Sequence, residues 1–197
     1  MKKKKIRMTP WTFCLFLGLL VFDRQGILIP TLAAAFFHEC GHLLAAWLLK
    51  IPLRGLTPDF LGARLFVSGR VFSYREEWLL AASGPLFSFV GAAIGGLFWG
   101  ISPAFVSFSC ASLLLGLLNL APIRTFDGGR MLECFLLATV GPDVSRPILD
   151  SISFFCLLFG FGGASYFLLK AGEGVTFFFF AASLFFRFLG DGKNEIF

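Results

Sequence analysis

Residues 78–123 run for 46 positions without a single charged side chain or histidine. A helix crosses the hydrocarbon of a bilayer in about 20 residues, so the run holds two spans. Gly100-Ile101-Ser102-Pro103 marks the turn between them. Composition agrees with a polytopic membrane protein: 57% of the residues are hydrophobic, 28 of 197 are phenylalanine, and mean hydropathy is +0.82. A soluble globular domain does not carry that much apolar surface. The net charge of +5 is therefore read by position along the chain, and it implies no nucleic-acid partner.

The other spans follow in order. Lys2, Lys3, Lys4, Lys5 and Arg7 precede an apolar stretch at residues 8–22. Basic and apolar parts in that order resemble a signal peptide, but Asp23-Arg24-Gln25-Gly26 is no small-residue cleavage site, so an uncleaved first span is expected. Residues 26–49 form a second span, interrupted only by His38, Glu39 and His42. Residues 51–77 are rich in charge and in glycine. There Leu65-Phe66-Val67 and Arg70-Val71-Phe72-Ser73-Tyr74, parted by Ser68-Gly69, predict a small β-hairpin. Spans three and four are expected at residues 78–99 and 103–123, span five at 148–169 after a polar break at 141–147, and span six at 175–189. The expected fold is an all-α polytopic membrane protein of about six transmembrane helices, with the hairpin between spans two and three, as one domain over residues 1–197.

Orientation comes from the basic residues. With the amino terminus in the cytosol, fifteen Lys and Arg fall on the cytosolic side, and only Arg24 and Lys170 fall outside. The five cysteines, Cys14, Cys40, Cys110, Cys134 and Cys156, all lie in or beside apolar segments without C-x-x-C spacing, so no disulfide framework is expected.

Span two carries the chemistry. Its Phe36-Phe37-His38-Glu39-Cys40-Gly41-His42-Leu43 reads H-E-x-x-H, and these are the chain's only two histidines. Four residues apart on a helix, they stand one above the other on one face and can share a zinc ion, with Glu39 as the base that takes a proton from water. Cys40 lies about 200° round the helix from His38 and serves packing. Ionisable groups inside a membrane span mark a functional site. His42 lies about seven residues from the cytosolic end of its span, roughly 10 Å along a helix. Asp127 follows span four at the same end and is one of several carboxylates outside the spans.

The chain resembles the site-2 proteases, intramembrane zinc metalloproteases, and most of all their small sporulation-type bacterial branch. The resemblance rests on His38-Glu39-Cys40-Gly41-His42, on Ser83-Gly84-Pro85, and on Asn119-Leu120-Ala121-Pro122-Ile123-Arg124-Thr125-Phe126-Asp127-Gly128-Gly129, which fits the family's N-x-x-P-x-x-x-x-D-G-G pattern. It implies one zinc ion per chain on His38, His42 and Asp127, with Glu39 as the catalytic base. It also implies substrate-positioning roles for Asn119, Pro122, Gly84, Pro85 and Ser88, and a Pro122 that bends its helix to turn Asp127 toward the metal. Ser88 stands where family members often carry asparagine, with a shorter reach.

The implied activity is hydrolysis of a peptide bond in or near a transmembrane segment, in the cell membrane and nearer the cytosolic side. The implied partners are a membrane protein or membrane-tethered transcription factor precursor, a membrane regulator, and the bilayer itself. The alternative is an inactive relative that binds membrane proteins as a chaperone or regulator, whose signature would be a damaged motif. His38, Glu39, His42 and Asp127 are all in place.

Overall fold

A computed structural model describes residues 23, 26–51, 53–59, 62–67, 73–171 and 175–191. Along them run α1 (Leu28–Leu48), β1 (Leu53–Asp59), β2 (Gly62–Val67), α2 (Tyr74–Leu97), α3 (Pro103–Asn119), α4 (Asp127–Thr139), α5 (Pro142–Ala171) and α6 (Val175–Asp191). Helices α1, α2 and α5 are long and apolar enough to cross a bilayer, and α3 is a shorter apolar helix. The expected first span at residues 8–22 lies outside the described residues. The chain divides into two compact units, one ending at Leu118 and one beginning at Asn119.

In the first unit α1 starts under a carboxylate cap. The N–H groups of Ile27 and Leu28 donate to Asp23 at 3.1 and 2.8 Å, which satisfies two of the helix's free donors. Helices α1 and α2 then pack backbone against backbone. A Cβ added to Gly41 would come within 2.5 Å of the Ser83 carbonyl and 2.8 Å of the Phe87 Cβ, so only glycine fits. The same holds between α2 and α3, where a Cβ on Gly95 would lie 2.9 Å from the Ser109 Cβ and one on Gly116 would lie 3.0 Å from the Ser88 Cβ. Lipid tails are as apolar as leucine, so such close fit and a few interhelical polar contacts drive association in a membrane. Ser109 supplies one such contact, donating from α3 to the Ala92 carbonyl at 2.7 Å. Phe37 fills the neighbouring space against Phe87 and Phe108, with ring centroids 5.5 and 6.2 Å away.

A two-stranded antiparallel hairpin joins α1 to α2, but its strands differ from the expected pair. Leu65 faces Leu56 and Val67 faces Leu53, so β2 pairs with the segment before it; the expected partner strand at residues 70–72 lies outside the described residues. Asp59 faces Gly62 in the same register, and α2 has already begun at Tyr74. Gly55 and Pro58 are poor strand formers and hide β1 in the sequence. Among the described residues both strands are edges, where a proline is tolerated. Helix α2 also starts four residues before the expected span, because Glu76 accepts the Ser73 N–H at 3.2 Å and caps the first turn.

Helix α3 stops at Asn119, the first residue of the second unit and four residues short of the expected end of span four. Pro122 lacks an N–H and disfavours helix in the residue before it, so the helix ends instead of bending. Pro122 therefore lies in the connecting loop, which corrects the expected kink. Residues 131–139, unassigned from sequence, belong to α4. Gly141 terminates that helix with a φ of +82°, and Pro142 opens α5 where the polar break was expected. The phenylalanines join α5 to α6: Phe161 lies 5.3 Å from Phe178 and stacks on Phe185 at 5.9 Å, centroid to centroid.

Candidate metal centre

His38 and His42 are both buried on α1, with one turn between them. Each ring uses its Nδ1 on a partner from α2. The His42 Nδ1 lies 2.8 Å from the Leu80 carbonyl, and the His38 Nδ1 lies 2.8 Å from the Ser88 hydroxyl. A carbonyl only accepts, so the His42 Nδ1 carries the proton and its Nε2 keeps a lone pair. Ser83 adds to this arrangement, donating to the same Leu80 carbonyl at 2.6 Å.

The two Nε2 atoms are left facing each other, 3.3 Å apart. Zinc binds imidazole nitrogen at about 2.0–2.1 Å, and two corners of a tetrahedron of that size are separated by about 3.3–3.4 Å. The spacing thus matches one edge of a zinc coordination shell. Ligating histidines characteristically give their second nitrogen to a carbonyl or other polar group, as both do here. The donor set fits the metal.

Gly84 lies directly against both rings. A Cβ built there would overlap the Nε2 and Cε1 of His42 and the Nε2 of His38. Pro85 follows it inside α2 and has no N–H to give the Ala81 carbonyl. This stretch of α2 offers both a surface without side chain, at Gly84, and a carbonyl that accepts from outside its helix, at Leu80. Glu39 sits next to His38 on α1 and is half-buried.

Asp127 belongs to the second unit. It is the first residue of α4, buried, and follows Phe126, whose backbone is still extended. The segment before it is tightly braced. Ser153 on α5 accepts the Arg124 N–H at 3.0 Å and donates to the Pro122 carbonyl at 3.4 Å, and Arg124 pairs with Asp150 at 3.5 Å. The two glycines after Asp127 permit the fold-back, since a Cβ on Gly128 would strike the Leu120 carbonyl and one on Gly129 the Ile123 carbonyl. Ile123 and Phe126 sit with Leu157 and Leu184 in the core of this unit. Asn119, the last residue of α3, and Pro122 are half-buried around the same loop.

Of the residues singled out from sequence, His38, His42, Gly84 and Ser88 meet at one place in the first unit. Asn119, Pro122 and Asp127 flank one loop in the second. Two participants carry no clear mark in the sequence. Leu80 acts through its carbonyl, which every residue has, and Ser153 shows only as a small polar residue in an apolar helix.

No protein-family model matches the sequence, and no curated protein matches it. Among solved structures, a site-2 protease from Methanocaldococcus jannaschii aligns with a TM-score of 0.64 at 20% sequence identity, over 90% of this chain and 84% of that one. The chain shares the fold of that site-2 protease.

Proposed function

We propose that the protein is an intramembrane zinc metalloprotease that hydrolyses a peptide bond in or near a transmembrane segment of another membrane protein. The observation that carries this reading is the His38–His42 pair, with its Nε2 atoms at a zinc-edge spacing and each Nδ1 held by α2. Asp127 is the third ligand, supplied from the loop that Ser153 braces. A zinc ion held there supplies Lewis acidity, polarising a scissile carbonyl and letting water attack near neutral pH.

The chain's own residues do the rest. Glu39 takes the proton from the attacking water and delivers it to the leaving amine, which breaks the C–N bond and frees a carboxylate and an amine. Asn119, near the ligand loop, holds the substrate backbone by its amide. Six spans with a cytosolic amino terminus place this chemistry toward the cytosolic face. The substrate in the sporulation-type reading is a membrane-tethered transcription factor precursor. A helical substrate hides its peptide bonds in its own hydrogen bonds, so it unwinds locally before it is cut.

Replacing Asp127 by Ala tests the ligand set. We expect zinc in the purified, folded variant to drop well below one ion per chain, with the helix content unchanged. Full zinc occupancy with wild-type affinity would remove Asp127 from the ligands.

A further inference from the structure

Resting on the zinc reading, we propose that Ser88 is a positioning residue for the metal ligand His38, not a group that meets substrate. Ser88 is fully enclosed, with 0% exposure. Its hydroxyl lies 2.8 Å from the His38 Nδ1. A neutral imidazole that ligates through Nε2 carries its proton on Nδ1, so the serine oxygen accepts a hydrogen bond from that N–H and fixes both the tautomer and the tilt of the ring. His42 is held the same way by the Leu80 carbonyl at 2.8 Å. One helix, α2, therefore sets the orientation of both imidazoles on α1.

The Ser88 side chain is packed from the other side at its Cβ. Gly116 on α3 approaches so closely that a Cβ there would lie 3.0 Å from the Ser88 Cβ. Three helices thus meet in sequence at one contact: α3 supports Ser88, Ser88 orients His38, and His38 presents Nε2. A short side chain fits this enclosed space.

Another buried serine in the same unit provides the control. Ser112 on α3 is also 0% exposed, but its Oγ has no hydrogen-bond partner among the described residues. If any buried serine merely fills space, Ser88→Ala and Ser112→Ala should behave alike. If Ser88 orients a ligand, only Ser88→Ala should change the metal.

The experiment measures zinc affinity of detergent-purified full-length protein by chelator competition, and the visible spectrum after cobalt(II) replaces zinc, in wild type and in the Ser88→Ala, Ser112→Ala and His38→Ala variants. The expected result is zinc binding weakened about 10–100-fold and a shifted cobalt band in Ser88→Ala, with Ser112→Ala matching wild type. Wild-type affinity and an unchanged cobalt band in Ser88→Ala overturn the positioning role. Equal losses in the two serine variants overturn it too, because they report general loosening. A His38→Ala protein that keeps its zinc rejects the metal reading itself and this inference with it, an outcome distinct from the failure of Ser88 alone.

Discussion

Glu39→Gln is expected to retain its zinc while cleavage falls by about 10²–10⁴-fold, the usual contribution of a positioned general base. The amide is close to the carboxylate in size, so α1 has no reason to move. The contacts that orient the histidines run from His38 to Ser88 and from His42 to Leu80, and neither involves residue 39. What the substitution removes is a group able to take a proton from water and give it to the departing amine. Activity would be followed on a tagged single-span membrane substrate in detergent, beside zinc content of the same preparation. Cleavage within tenfold of wild type would eliminate Glu39 as the base. Loss of zinc would show that the carboxylate serves the metal site and not the proton transfer.

Gly84→Ala should cost the protein its metal. The new methyl group would fall on the Nε2 atoms of both histidines, the two atoms that carry the proposed coordination. Relief by moving α2 away is no remedy, because α2 also carries Leu80 and Ser88, and the Nδ1 bonds would break as the rings separated from them. Gly41 closes the same helix pair from the α1 side, within 2.5 Å of the Ser83 carbonyl by the same measure. We expect zinc affinity to drop at least about 100-fold, with helix content near wild type. Gly96→Ala is the matched control on the same helix, since a Cβ there meets nothing nearer than the Ser109 Oγ at 3.9 Å. A folded Gly84→Ala protein with wild-type zinc affinity would show that the space between the imidazoles is not where a metal binds.

The sequence made some of this site plain and hid the rest for physical reasons. His38 and His42 were legible because helical spacing alone puts i and i+4 on one face. Gly84 was legible only as part of a family motif; its need for a missing side chain appears once α2 lies against both rings. The hydrogen bond of Ser88 crosses from α2 to α1 and depends on a packing that no local pattern encodes. Helix α4 went unread because Asp127-Gly128-Gly129 looks like a turn. The later signals, Gly141 past its end and Pro142 at the next start, describe a helix boundary as well as a polar break. Alternation marked the strand around Leu65, while Gly55 and Pro58 hid the strand that pairs with it.

The most direct test of the account is the zinc content of full-length protein purified in detergent, wild type beside His38→Ala, with helix content checked in each. The account predicts about one zinc per wild-type chain and almost none in the variant. A well-folded wild-type protein that takes up no zinc when the metal is supplied would contradict it, leaving a site-2 protease fold without the chemistry proposed for it.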